Sequence, residues 1–100
     1  MVHHIVMWNF KEEVAEEKKP EIIKNMEEAL NGLVGQVPGL LEVTVNINGL
    51  ASSNAEVMLD STLENEEALK GYAVHPAQVE VADTKVRPYT KTRMCLDFEI

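Results

Sequence analysis

The chain has 100 residues, of which 45% are hydrophobic and 26% are charged, proportions typical of ordinary globular domains. Its 9 basic and 17 acidic side chains give a net charge of −8, whereas proteins that bind the phosphate backbone carry clustered Lys and Arg. Only residues 85–93 are locally basic. These numbers argue against nucleic acid as a partner and indicate one small domain, residues 1–100.

The cysteine and hydropathy patterns indicate a protein of a reducing compartment. Cys95 is the only cysteine, so no intramolecular disulfide is available. No apolar run approaches the roughly 20 residues of a membrane span. The start of the chain also lacks the basic and continuous apolar regions of a signal peptide. We therefore expect a cytoplasmic protein with no membrane partner.

The first half of the chain predicts two strands and a helix between them. Residues 2–10 are rich in β-branched and aromatic side chains and form the first strand. A helix is predicted from Pro20, with apolar residues at helical spacing and a stop near Gly35. After the turn at residues 37–39, apolar residues alternate from Leu41 to Ile47, which is typical of a half-buried strand.

The second half of the chain also predicts two strands, with helical segments between them. A third strand covers residues 55–60, and Asn65 is a good N-cap for a helix that carries Tyr72 on its inner face. A short helix follows from Pro76 to about Arg87, and residues 93–100 form the closing strand. The order β-α-β-β-α-β predicts an α+β, ferredoxin-like protomer with a four-stranded antiparallel sheet and helices on one face.

The first strand is apolar on both of its faces. We expect one face to lie against the helices; it carries Val2, His4, Val6, Trp8 and Phe10. Exposing Ile5 and Met7 on the other face would forfeit roughly 1.5–3 kcal/mol each. We therefore predict a homodimer that covers this second face. Cys95 alternates with Met94 and Leu96 in the last strand, and we expect it to face the dimer interior.

Several segments resemble the stress-responsive A/B barrel (Dabb) family. They are His4-Ile5-Val6, Phe10-Lys11, Val37-Pro38-Gly39-Leu40 and Tyr72-x-x-His75-Pro76, in that order along nearly the whole chain. The resemblance implies a ferredoxin-like protomer whose dimer encloses an α+β barrel, and a role related to stress. Most members of the family have no established biochemical activity.

Some members of that family are polyketide cyclases, in which a Tyr-x-x-His-Pro-x-His-Val segment supplies the tyrosine and the second histidine as the catalytic pair. Tyr72 stands at the matching tyrosine, and His75 matches the first, structural histidine. Gln78 replaces the second histidine, and glutamine cannot take a proton from carbon near neutral pH. The resemblance therefore favours a non-catalytic small-molecule-binding protein, and we assign no catalytic residue. The alternative is a cofactor-independent enzyme, cyclase-like or similar to small monooxygenases of the same barrel superfamily.

We predict a pocket between sheet and helices that binds a small apolar or aromatic molecule. The candidate lining residues are His4, Trp8, Val57, Leu59, Tyr72, His75 and Gln78. Structural roles remain open for these residues, such as a helix cap for His75, and so does a fully packed interior. No cofactor is predicted, because no phosphate loop or dinucleotide fingerprint is present. Three histidines without clustered carboxylates are a poor zinc pattern, so no metal site is predicted either.

Overall fold

The computed structural model describes all residues from 1 to 100. Its strands are β1 (Val2–Phe10), β2 (Leu40–Asn46), β3 (Val57–Leu63) and β4 (Thr90–Glu99). Its helices are α1 (Lys19–Asn31), α2 (Glu66–Val74) and α3 (Pro76–Val81). A short 3₁₀ turn, Glu16–Lys18, precedes α1, and a π-helical stretch, Ala82–Val86, continues α3. No helix combines the length and the apolar content that crossing a membrane requires.

The four strands form one antiparallel sheet in the order β2-β3-β1-β4. In the central strand β1, buried residues alternate strictly with partly exposed ones, because one face of the sheet is covered by the helices and the other is open. The predicted α+β arrangement, with helices on a single face of the sheet, is present.

The hydrophobic core lies between the helices and the covered face of the sheet. Met26 of α1 and Leu63 of β3 have no exposed surface, and Val6 of β1 is 1% exposed. Fully burying side chains of this size contributes roughly 1.5–3 kcal/mol each. The whole core cluster comprises Val6, Trp8, Phe10, Met26, Leu30, Leu33, Val37, Leu40, Val43, Val57, Leu59, Leu63, Tyr72 and Val86.

The break between α2 and α3 follows from the His75-Pro76 pair. Pro76 has no backbone N–H and forces the preceding residue into an extended conformation; His75 has a ψ of 131°. The ring of His75 then caps α3, because its Nδ1 accepts the backbone N–H of Ala77 at 3.1 Å. The predicted N-cap of α2 is confirmed, since the Asn65 side chain accepts the backbone N–H of Ala68 at 2.9 Å.

The turn at residues 37–39 places β2 close to α2. Gly39 has a φ of +82°, which favours glycine, and a Cβ atom at this position would lie 2.5 Å from the Cβ of Ala68. A glycine is therefore required here both by the backbone conformation and by the close approach of the helix.

Several predicted boundaries differ from the structure. The pairing of β2 with β3 shifts between Leu40 and Glu42, so Leu40 is buried while Leu41 is 45% exposed. The prediction that Leu41 begins the inner face of this strand was wrong, because a bulge reverses the facing of the residues around it. The third strand runs to Leu63 and the fourth begins at Thr90, so both are longer than predicted.

Candidate functional site

A pocket of about 620 Å³ lies between the covered face of the sheet, α2 and α3. This is within the range of roughly 300–1,000 Å³ that small-molecule sites occupy. Its apolar wall consists of Val6, Trp8, Leu30, Leu59, Leu69 and Val86. Its polar groups come from His4 on β1, from Lys70 and Tyr72 on α2, from Gln78 on α3, from Arg87, and from Arg93, Cys95 and Asp97 on β4.

The structure brings together five of the seven predicted lining residues: His4, Trp8, Leu59, Tyr72 and Gln78. The other two were expected in the lining and do not reach it. Val57 is 1% exposed and is covered in the core. His75 directs its ring to the backbone of α3 as a cap, which leaves it outside the pocket.

Tyr72 places a buried hydroxyl at this pocket without a hydrogen-bond partner. The residue is 2% exposed, and neither its hydroxyl nor the buried hydroxyl of Ser61 has a partner. An unpaired buried polar group costs about 1–3 kcal/mol. Burial raises the pKa of the Tyr72 phenol, whereas hydrogen-bonding groups on Ser61 and Gln78 and the charge of Arg93 lower it. Ser61 and Gln78 are thus the nearest protein groups that could pair with the hydroxyl, although neither meets it with hydrogen-bond geometry. The phenol is therefore neutral near pH 7 and available as a hydrogen-bond donor.

A polar row crosses the covered face of the sheet beneath Tyr72. His4 of β1 lies opposite Ser61 of β3 on one side and opposite Asp97 of β4 on the other. His4 is buried, with 8% of its surface exposed. Its Nδ1 atom forms a hydrogen bond with Oδ1 of Asp97. The His4 and Tyr72 rings meet edge to face with their centroids 5.7 Å apart.

Cys95 belongs to the same group. Its Sγ lies 3.7 Å from Nδ1 of His4 and 3.4 Å from Oδ1 of Asp97. The expectation that Cys95 faces the dimer interior was wrong, because it pairs in register with Val6 and shares the helix-covered face. Burial and the adjacent Asp97 carboxylate raise the pKa of the Cys95 thiol, against an opposing effect of Arg93. A thiol in this state is a poor nucleophile at neutral pH.

The charges around the pocket differ from those of the whole chain. Three basic residues and one acidic residue belong to its lining, namely Lys70, Arg87, Arg93 and Asp97, although the chain carries a net charge of −8. Arg87 is paired with Asp83 and Lys70 with Glu67, whereas Arg93 forms no salt bridge. Arg93 is thus the one basic residue of the lining without an acidic partner.

The residues that the sequence analysis missed are Ser61, Arg93, Cys95 and Asp97. One signal was available, since Cys95 and Asp97 are two positions apart in a strand and so share a face. Their position beside His4 depended on the register of β4 against β1, which alternation alone does not fix. His4, Cys95 and Asp97 now offer three metal-ligating atoms, all within 4.8 Å of one another.

The open face of the sheet carries an apolar stripe along β1 and β4. Met7 pairs with Met94, and Ile5 pairs with Leu96. Met94 is 65% exposed and Leu96 is 64% exposed. His3 also lies on this face, where its Nδ1 contacts Asp60 at 3.0 Å and its ring stacks on Phe98 at a centroid distance of 5.4 Å.

A second depression, of about 580 Å³, lies between residues 11–15, α1 and Tyr89. Its charged lining residues are two lysines and two glutamates, Lys11, Lys18, Glu13 and Glu21. The two buried side-chain groups without a hydrogen-bond partner are the hydroxyls of Ser61 and Tyr72, and neither residue lines this depression. The pocket beside Tyr72 is therefore the stronger candidate site.

Comparisons with known proteins agree on one fold. The chain is 32% identical over 81 residues to the stress-response A/B barrel domain-containing protein HS1 of Arabidopsis thaliana, covering 81% of this chain and 73% of that protein. A dimeric protein of unknown function and ferredoxin-like fold from Bacteroides fragilis superposes with a TM-score of 0.88 at 25% identity, over 99% of this chain and 95% of that one. A hydroxynitrile lyase from Passiflora edulis superposes with a TM-score of 0.76 at 17% identity, over 99% of this chain and 92% of that one.

The family model described as the stress responsive A/B barrel domain matches residues 2–100. The ferredoxin-like fold predicted from the order of elements is confirmed by the Bacteroides fragilis protein. Two of the segments that carried the resemblance shape connections between elements, since Gly39 lies against α2 and His75 lies between α2 and α3. The chain belongs to the stress-responsive A/B barrel (Dabb) domain family.

Proposed function

We propose that residues 1–100 form a single Dabb domain that binds a small, mainly apolar molecule with an acceptor oxygen, in the pocket beside Tyr72. The observation that carries the proposal is the buried hydroxyl of Tyr72, which has no partner at the wall of a pocket of about 620 Å³. A ligand oxygen that accepts from this hydroxyl removes the cost of leaving it unpaired. The apolar wall then accommodates the body of the ligand.

The charge of the lining favours an acidic ligand. Arg93 lies beside Tyr72 without a salt bridge, and Lys70 and Arg87 are the other basic residues of the lining. An anionic or strongly polarised oxygen would gain from these charges, and because all three side chains are exposed, screening by water and salt should limit the gain. We therefore place small aromatic carboxylates and acidic phenols first among the ligand classes.

The protein acts as a homodimer in this proposal. In the apolar stripe of the open face, Met94 and Leu96 are exposed in the single protomer and Ile5 and Met7 are partly exposed. The Bacteroides fragilis relative of the same fold is dimeric. A second copy against this face would remove the stripe from water, while the pocket lies on the other side of the sheet. We place the protein in the cytoplasm, where a free thiol such as Cys95 stays reduced.

A cofactor-independent enzyme is the second candidate, and the His4–Asp97 pair is the observation that favours it. Oδ1 of Asp97 can accept a hydrogen bond from the Nδ1–H of His4, which leaves Nε2 free to act as a base. Tyr72 would polarise a carbonyl beside it. Gln78 takes no part in the proton transfer, because an amide side chain cannot hold the proton. The hydroxynitrile lyase of similar fold is an enzyme, although a fold alone does not assign an activity.

The binding proposal is tested with the fluorescence of Trp8, which is the only tryptophan and lines the pocket. The probes are aromatic carboxylates such as 1-naphthoate, compared with the uncharged 1-naphthalenemethanol. We expect saturable quenching and tighter binding of the carboxylates.

Tyr72→Phe should weaken binding about two- to tenfold, since a net hydrogen bond contributes roughly 0.5–1.5 kcal/mol. The matched control is Tyr89→Phe, which removes the hydroxyl of the only other tyrosine, outside the pocket. The proposal fails if no aromatic carboxylate quenches saturably, or if the two variants bind alike.

A further inference from the structure

The donor atoms of His4, Cys95 and Asp97 form a closed triangle on the covered face of the sheet. Nδ1 of His4 and Oδ1 of Asp97 are hydrogen-bonded, and Sγ of Cys95 lies 3.7 Å from the first atom and 3.4 Å from the second. The triangle is fixed by the backbone. His4 and Asp97 are directly opposed in the β1–β4 ladder, and Cys95 is two residues from Asp97 on the same face.

The geometry does not match a nucleophilic relay. In a Cys–His–Asp relay, the thiol and the carboxylate use different nitrogens of the imidazole, so that one nitrogen takes the proton while the other is held. Here both Sγ and Oδ1 approach the same atom, Nδ1 of His4. Three donor atoms that converge on one point match the coordination of a single cation.

We propose that His4, Cys95 and Asp97 bind a Zn²⁺ ion through three protein ligands, with the fourth coordination position open to the pocket. A nitrogen, a thiolate sulfur and a carboxylate oxygen form a mixed ligand set that suits zinc. At the usual Zn–S distance of about 2.3 Å and Zn–N and Zn–O distances of about 2.0–2.2 Å, ligand atoms of a tetrahedral site lie roughly 3.3–3.6 Å apart. The two distances from Sγ, 3.7 and 3.4 Å, are close to this range. Nδ1 of His4 and Oδ1 of Asp97 are hydrogen-bonded and lie closer together than this, so the Asp97 side chain must rotate away from the ring when the ion replaces the proton between them.

The surroundings of the triangle support an open rather than a closed metal site. All three ligands line the pocket of about 620 Å³, so the fourth position faces space that a water molecule or a ligand oxygen can occupy. Tyr72, with its unpartnered hydroxyl, lies beside His4 in the same pocket. A zinc ion with one thiolate and one carboxylate has no net charge, so the neighbouring Arg93 does not repel the complex.

The site is tested by metal binding alone and does not depend on the proposed organic ligand. The dimer or monomer as purified is dialysed against a chelator and titrated with Zn²⁺ in competition with a chromophoric chelator, and separately with Co²⁺. We expect one Zn²⁺ per chain. Bound Co²⁺ should show the thiolate-to-metal charge-transfer band and the visible bands of a tetrahedral ion.

Cys95→Ser and Asp97→Asn should each weaken zinc binding about 100-fold or more, because the loss of groups that merely support a ligand already costs about 10–100-fold. Cys95→Ser should also remove the charge-transfer band. Both residues are exposed, and circular dichroism will show that the variants are folded. Asp60→Asn is the matched control, since it breaks the His3–Asp60 pair on the opposite face and should leave binding unchanged. The proposal is overturned if wild type binds no stoichiometric zinc, or if Cys95→Ser and Asp97→Asn bind it as tightly as wild type.

Discussion

Two adjacent histidines of β1 make the same kind of contact on opposite faces of one sheet. His3 contacts Asp60 on the open face, stacks on Phe98 and is surrounded by an apolar stripe. His4 contacts Asp97 on the covered face, where Cys95, an unpartnered Tyr72 hydroxyl and a pocket of about 620 Å³ lie beside the pair. The imidazole–carboxylate pair is therefore not what distinguishes the candidate site. The distinguishing features are a third donor atom, an unsatisfied hydroxyl and space for a ligand.

In our proposal, the open face associates with a second copy and the covered face binds the ligand. The first prediction tests the open face. Met7→Glu should raise the dimer dissociation constant about 100-fold or more, because an unpaired charge in a desolvated interface costs several kcal/mol and about 1.4 kcal/mol corresponds to tenfold.

Light scattering at micromolar concentration should show twice the mass of 11.2 kDa for wild type and the single mass for Met7→Glu. Val74→Glu is the matched control, since Val74 is 74% exposed at the end of α2, on the helix side of the sheet, and it should remain dimeric. A folded wild-type monomer at these concentrations would contradict the assignment.

Gln78→His tests the chemistry of the covered face. Wild type should not cyclise a tetraketide substrate, because Gln78 cannot take the proton from carbon. The variant adds an imidazole to the pocket beside Tyr72 and should gain turnover, since a positioned base contributes about 10²–10⁴-fold. Product formation is measured by chromatography for both proteins. Robust turnover by wild type would oppose this prediction and support His4 as the base of the second candidate function.

Mutations on the two faces should also differ in how their effect on the free energy of unfolding depends on protein concentration. Met26→Ala, in the core with no exposed surface, should lower the free energy of unfolding by about 2–5 kcal/mol at every concentration. Met94→Ala, on the open face, should lower it mainly where the dimer is populated, because its burial comes from the second copy. Urea unfolding at several protein concentrations separates the two. The assignment fails if the effect of Met94→Ala is the same at all concentrations.

The smallest predicted effect concerns the unpartnered hydroxyl. Tyr72→Phe should raise the stability of the ligand-free protein by about 1 kcal/mol, because the variant no longer buries an unsatisfied polar group. The same change weakens ligand binding in our proposal, as expected where a binding site keeps a destabilising group because the function requires it. Thermal unfolding of the free protein gives the measurement, with Tyr89→Phe as the control. A destabilised Tyr72→Phe would mean that the hydroxyl already has a partner within the protein.

The elements of the fold were predictable because their signals are local. The alternation in β1, the Asn65 cap and the His75-Pro76 break each depend on a few neighbouring residues, and the structure contains all three. The facing of Leu41 was not predictable, because the bulge beside it depends on the pairing of β2 with β3.

The candidate site was predictable only in part for the same reason. His4, Trp8, Leu59, Tyr72 and Gln78 were placed in the pocket by the facing of their own strand or helix or by the family resemblance. Cys95 and Asp97 reach His4 through a register between residues more than 90 positions apart in the chain. Alternation within β4 shows that these two share a face, but not which face it is.

The central claim is that the pocket on the covered face binds a ligand through Tyr72. A crystal structure of the protein with an aromatic carboxylate, chosen from those that quench Trp8, tests it most directly. We predict density for the ligand between Trp8, Leu59 and Tyr72, with an oxygen within hydrogen-bond distance of the Tyr72 hydroxyl. A pocket filled by its own side chains, or a ligand bound elsewhere with the Tyr72 hydroxyl unchanged, would contradict the account.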